Sequence, residues 1–285
     1  MRLLLLGDSH GHLELLHRAV TEAQELHGID AAIQVGDFGF FASIFEQYRR
    51  RGLGPFPVPL HVIDGNHDDH RWLLQIRTND ESTAWDGLNL QLHERGTTAR
   101  LGGITVGFIG GALHADRRQQ WDGMWKPNPA GSRPGRQPVP RDPAYANFVT
   151  AGDIERALAA FAVDPPDLLV THTCPAGIGI GIAGAPHLIE DADRFITRAG
   201  HHGGPFTDCG EGALTRLWTA LAHRPPTWVF GHFHRLHRTT IGQTEFCCIG
   251  SSDDSDGMNG IRTIIYDTAD RSLTIDEKHR LGIGQ

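Results

Sequence analysis

The stretch RLLLLGDSHGH, residues 2–12, joins the first element of the fold to the first piece of chemistry. Its short apolar run ends at Gly7, the pattern of a buried strand. Polarity then switches at once to Asp8, Ser9, His10 and His12. Beyond them Leu13, Leu16, Val20, Ala23 and Leu26 recur at helical spacing. A strand, a glycine, metal-capable side chains and a helix therefore follow one another within 26 residues.

The same succession returns along the chain. AAIQV (31–35) stops at Gly36 and leads into Asp37, and VPLHVI (58–63) stops at Asp64-Gly65 and leads into Asn66, His67 and Asp68. DLLVTH (167–172) ends on His172, and TWVFGH (227–232) ends on His232 with His234 two residues on. Strands alternating with helices in the first half imply a largely parallel core sheet covered by helices. TARLGGITVGFIGG (98–111) reads instead as a hairpin about Gly102-Gly103. Helices are expected at 153–162 and 211–222, and closing strands near 244–249, 261–266 and 272–277. No repeat or linker divides the chain, so residues 1–285 are expected to form a single domain. It carries an irregular insertion at about 115–148 and a Gly-rich segment at about 176–210. The insertion is proline-rich and locally basic, with six Lys or Arg against three Asp. Long loops in compact domains are often functional, which makes it a candidate cover for a site.

Composition narrows the class. A net charge of -8 argues against a general nucleic-acid binder, which would carry an excess of Lys and Arg. Cys174, Cys209, Cys247 and Cys248 form no CxxC pair, so reduced thiols in a cytoplasmic protein are expected. The apolar part of the N-terminus is shorter than the roughly 7–15 residues of a signal-peptide core. No run approaches the roughly 20 apolar residues of a membrane span, so no membrane partner is expected.

The five blocks GDSHGH (7–12), GDFGF (36–40), GNHDD (65–69), THTCP (171–175) and GHFH (231–234) all follow core strands. In open α/β sheets ligands bind outside the carboxyl ends of the strands, so five strand ends deliver Asp, Asn and His to one rim. Oxygen and imidazole donors without thiolate suit Mn, Fe, Ni or Zn rather than a structural zinc cluster. The set exceeds the needs of one ion, and a bridging carboxylate would let it hold two about 3.5–4 Å apart. Such a pair clamps a phosphoryl oxygen and brings a bridging water to a pKa near about 7.

Together the blocks resemble those of the calcineurin-like metallophosphoesterase superfamily, over residues 7–234 and in the expected order. The resemblance implies a four-layered αββα sandwich of two mixed sheets flanked by helices. It implies a dinuclear centre in which Asp8, His10 and His234 hold one ion, Asn66, His172 and His232 the other, and Asp37 bridges both. His67 matches the family's non-ligand histidine, which stabilises the transition state or protonates the leaving oxygen. The implied reaction is phosphoester hydrolysis by a metal-bridging hydroxide, with manganese the first candidate and Fe, Zn or Ni the others. GGALHADRRQQWDGMW (110–125) is partly similar to a stretch in a bacterial branch of the superfamily, with His114 in place of a Ser and Arg117 in place of a Lys. Both are candidate phosphate contacts, Arg117 through its planar fork.

Departures refine this. GDFGFFAS lacks the Asp-Arg-Gly that follows the second block of protein Ser/Thr phosphatases, which argues against that activity. His12 stands where many relatives carry Asn. No HExxH of a zinc protease is present, and Thr263 stands where a calcium loop beginning in SSDDSDGMNG would need its Glu.

The remaining polar residues of the blocks are read more plainly. Asp68 either orients His67 or caps the following helix. His70, His201, His202 and His237 are read as surface residues, and Cys174 as a small apolar filler. In an extended GHFHRLH segment, His232 and His234 point to one side and His237 to the other. The expected substrate is a small phosphodiester, nucleotide-like, with phosphomonoesters also compatible. A single-strand nuclease and a catalytically silent binding module of the same fold are the alternatives.

Overall fold

The computed structural model describes residues 1–79, 85–112, 147–178, 210–250 and 263–275. Their strands form two six-stranded sheets. In the first, β1 (Arg2–Leu6), β2 (Ala31–Gln34), β3 (Leu60–Val62) and β4 (Leu90–Leu92) run parallel. β11 (Thr263–Asp267) lies antiparallel to β1, and β12 (Ser272–Ile275) antiparallel to β11. The second has the order β5 (Thr97–Leu101), β6 (Ile104–Ile109), β7 (Leu168–Thr171), β8 (Thr227–Phe230), β10 (Thr244–Cys248), β9 (His237–Ile241). Its four inner strands are parallel and its two edges antiparallel.

Side-chain parity assembles the layers. Leu3 and Leu5 of β1 face inward and share a core with Val106, Phe108, Val170 and Val229 of the second sheet. Leu4 and Leu6 face outward, into the core covered by α1 (Leu13–His27), α2 (Ala42–Arg50) and α3 (His70–Asn79). On the far side Leu169, Trp228, Phe230 and Phe246 pack against α4 (Ala151–Val163) and α5 (Gly212–Ala220). Helix, sheet, sheet, helix is the expected αββα sandwich. The unbroken run RLLLL follows from it, because Leu3 to Leu6 are all fully buried on alternate faces. Each such leucine contributes about 1.5–3 kcal/mol relative to exposure. Cys247 and Cys248 divide between the two cores in the same way.

The largely parallel core expected from the alternation is present, but in two sheets with antiparallel edges rather than one. β4 and β9 carry no pattern that separates them from loop: LQL is three residues long, and HRTTI is polar at an edge. Among the described residues no helix is long and apolar enough to cross a membrane.

Candidate metal centre

The site is built where parallel strands end. Each strand hands over to a loop that must turn sharply while another loop passes close by, and glycine makes this feasible. A Cβ at Gly65 would lie 2.1 Å from Asp37 Oδ1, and one at Gly231 would lie 2.0 Å from Asp8 Oδ1. Both carboxylates thus rest directly on the glycine of another block.

The side chains gather into two groups. Asp8, His10 and His234 have ligand atoms within 4.8 Å of one another, and so do Asp37, His172 and His232. In the first group His10 Nε2 and His234 Nε2 are 3.0 Å apart, and His234 Nε2 is 3.3 Å from Asp8 Oδ2. In the second, His172 Nε2 lies 3.3 Å from Asp37 Oδ2 and 3.0 Å from Asn66 Oδ1. The other ring nitrogen of His172 faces the Val35 carbonyl at 2.9 Å, which fixes Nε2 as the atom aimed into the site. His67 adjoins the groups: its ring centroid is 5.3 Å from that of His10, and its backbone N–H donates to Asp37 Oδ1 at 2.7 Å. The structure thus brings together Asp8, His10, Asp37, Asn66, His67, His172, His232 and His234. His114 and Arg117 lie outside the described residues, as do His201, His202, Cys209, most of the 115–148 insertion and most of the Gly-rich segment.

The backbone at these residues is unusual. His10, Asp37, His232 and His234 all have positive φ, at 45°, 50°, 69° and 51°. For residues with a Cβ this is a costly conformation that tends to collect at functional sites. It also corrects the expectation for GHFHRLH. Residues 231–236 are not a strand, and His232 and His234 serve different groups through left-handed turns rather than through strand parity. His237 opens β9 and is partly buried, with Nε2 3.3 Å from the Ile178 carbonyl, so it is less exposed than a surface residue yet outside both groups.

Charge explains what the pocket needs. Asp8 and Asp37 are 0% and 1% exposed. Burial alone would raise the Asp37 pKa, but His172, His67 and His10 outweigh it and hold the carboxyl far below its usual range. Burial would lower His172, yet Asp37, and then Asp8, drive its pKa up to about 10. His232 moves the other way, pushed well down by burial and by His172. His234 is raised, Asp8 outweighing burial. Asp37 Oδ2 is buried, with the His172 Nε2 contact at 3.3 Å beside it. Two imidazole Nε2 atoms facing each other beside a carboxylate, and a buried carboxylate with an imidazole Nε2 turned toward it, both fit divalent cations.

Two neighbours differ from the expectation. Asp68 neither orients His67 nor caps α3. Its Oδ1 accepts the amides of Gly39 and Phe40 at 2.8 Å each, and its Oδ2 accepts that of Gly65 at 2.7 Å. It therefore clamps the second block to the third, and burial together with Asp37 pushes its pKa up to about 7 against those three amides. The cap falls to Asp69, whose Oδ1 accepts the Trp72 amide at 3.1 Å. His70 is not a surface residue: its side chain is 12% exposed, and Nε2 sits 2.7 Å from the Gly65 carbonyl. A third buried feature, Arg95 paired with Asp64, has no sequence signal, because an arginine just before a hairpin is ordinarily solvated.

Fold and donor set together define an α/β sandwich with two groups of side chains that could hold metal ions. Residues 1–129 match the family model of the calcineurin-like phosphoesterase superfamily domain. No curated protein matches the chain. Among solved structures, TT1561 of Thermus thermophilus is similar at 14% identity and a TM-score of 0.55, over 96% of this chain and 97% of that one. Another crystal structure is similar at 12% identity and a TM-score of 0.57, over 96% and 98%. At these identities the likeness extends to the fold alone.

Proposed function

We propose that this chain is a dinuclear-metal phosphoesterase acting on small, nucleotide-like phosphodiesters, with phosphomonoesters as further substrates. The observation that carries the reading is the pair of facing three-residue groups, with His67 beside them. Asp8, His10 and His234 would hold one ion, and Asn66, His172 and His232 the other, with Asp37 between them. Manganese is the first candidate for both positions. Two such ions, when bound, would polarise a phosphoryl oxygen and make a water acidic enough to attack near neutral pH.

The residues of the chain do the rest. His172 is held by the Val35 carbonyl so that Nε2 points at the second position. The Asp37 carboxylate stays ionised under its imidazole neighbours and receives the His67 amide, which sets the height of the His67 ring over the groups. His67 is assigned the proton for the leaving oxygen. His114 and Arg117 are proposed to contact the phosphate, and the full 285 residues to act as one domain.

The test is metal analysis of the purified protein, followed by hydrolysis of bis-(p-nitrophenyl) phosphate and p-nitrophenyl phosphate with added Mn²⁺. Turnover lost in His67→Ala supports the enzyme. A metal-loaded wild-type protein that turns over no ester in a broad panel overturns it and leaves a binding module.

A further inference from the structure

Behind the third block lies a buried ionic chain that neither the motif blocks nor the proposed mechanism uses. Arg95, just ahead of β5, has a side chain 9% exposed, and its Nε and Nη2 donate to Asp64 Oδ2 at 3.0 and 2.5 Å. Its Nη1 donates to the Phe148 carbonyl at 2.7 Å and lies 3.4 Å from Asp153 Oδ2. Asp153 is fixed in turn by the capping box with Thr150 that starts α4. One guanidinium therefore ties the second sheet and α4 to Asp64, the residue at which the β3 loop leaves the first sheet.

Asp64 is gripped from other sides as well. Its carbonyl accepts the Gly111 amide at 2.8 Å, and a Cβ at Gly110 would lie 2.1 Å from its Oδ1. His70 Nδ1 stands 3.6 Å from Asp64 Oδ2, while the same ring's Nε2 meets the Gly65 carbonyl at 2.7 Å. The peptide 64–65 is thus fixed between Arg95 and His70, and Asn66 and His67 follow it directly. Loss of one partner from a buried charge pair leaves the other charge uncompensated, so removing Arg95 would unsettle Asp64 where it is buried. A fork holding one carboxylate oxygen through two nitrogens also fixes direction, which a lysine cannot reproduce.

We propose that Arg95, acting through Asp64, is a positioning residue that sets Asn66 against the second metal position, with His67 next in the chain. The inference rests on the phosphoesterase reading above. It goes further in dividing the centre: the second group depends on the Arg95–Asp64 pair, and the Asp8, His10 and His234 group does not.

The experiment compares wild type with Arg95→Met and Arg95→Lys by Mn²⁺ titration followed by electron paramagnetic resonance, alongside steady-state kinetics on bis-(p-nitrophenyl) phosphate. Outer partners of ligands typically carry 10–100-fold in metal affinity or activity. Arg95→Met is expected to keep one Mn²⁺ site at wild-type affinity and weaken the other at least tenfold. Its kcat should fall at least tenfold at saturating metal, with KM within about threefold. Arg95→Lys, which keeps the charge and is the variant to read if Arg95→Met does not fold, should show the same unequal weakening in milder form. Folded variants that bind both ions with wild-type affinities, or lose both equally, overturn the inference while wild type still binds two ions and turns over ester. A wild type that binds no pair of ions brings down the phosphoesterase reading itself.

Discussion

The His67 backbone N–H donates to Asp37 Oδ1 at 2.7 Å, so the residue assigned proton transfer is anchored by its main chain to the residue assigned to bridge the ions. The His67 imidazole takes no part in that bond, and its removal leaves the anchor intact.

For that reason His67→Ala should separate chemistry from metal binding. A positioned general acid contributes typically about 10²–10⁴ in rate. We expect kcat to fall by that order with two bound Mn²⁺ retained, read by metal analysis beside kinetics. Loss of the metals together with activity would assign His67 to the ligands instead.

The three histidines of GHFHRLH should behave differently. His234 lies in the first group and His232 in the second, whereas His237 lies in neither. His234→Ala and His232→Ala should each lower Mn²⁺ stoichiometry and abolish most turnover. His237→Ala should stay within about twofold of wild type, because a contact of 3.3 Å to a loop carbonyl is a weak hydrogen bond.

Gly231→Ala tests the packing of the strand ends without replacing any residue assigned as a ligand. The added Cβ would fall 2.0 Å from Asp8 Oδ1, well inside contact distance, so either Asp8 or the loop must move. Overpacking of this kind costs typically about 1–3 kcal/mol. The expected outcome is a lower Tm together with weakened binding of the ion held by Asp8, measured by thermal melts with and without Mn²⁺.

Acid stability should depend on a histidine pair outside the strand-end groups. His61 Nδ1 and His93 Nε2 are 2.8 Å apart, and His93 stacks on Phe108 at 3.8 Å. Burial lowers His61, and burial with His61 beside it lowers His93 to about 3. Both folded-state values lie below the unfolded value, so the unfolded chain binds more protons and stability rises with pH in that window. The His93 contribution is complete above about pH 6.5 and is lost as pH falls from there toward 3, at up to about 1.4 kcal/mol per unit, and His61 adds in the same direction. His93→Phe should flatten chemical-denaturation stability between pH 6.5 and 4. An unchanged slope would remove His93 from the acid transition.

Much of this was legible in the sequence because strand ends and chemistry coincide. Leu3 to Leu6 announce a strand buried on both faces, and Asp8 follows within two residues of its end. The same coincidence recurs at Asp37, Asn66, His172 and His232, side chains that the fold brings close to one another. What stayed hidden depends on contacts between distant segments. Asp68 serves amides at Gly39 and Phe40, nearly 30 residues away, and helix-capping logic sees only its near neighbours. Arg95 and Asp64 lie in different loops 31 residues apart, so no local pattern joins them. Strand parity also misled at His232 and His234, since positive φ angles replace the extended backbone that parity assumes.

The central claim is a two-ion centre that hydrolyses phosphoesters, and the most direct test is turnover as a function of bound Mn²⁺. Metal-free protein would be titrated while bis-(p-nitrophenyl) phosphate hydrolysis and bound metal are measured in the same samples. Activity should be slight below one equivalent, climb as the second binds, level off at two and vanish with chelator. Full activity at one equivalent, or none at two with any ester in the panel, would contradict the account.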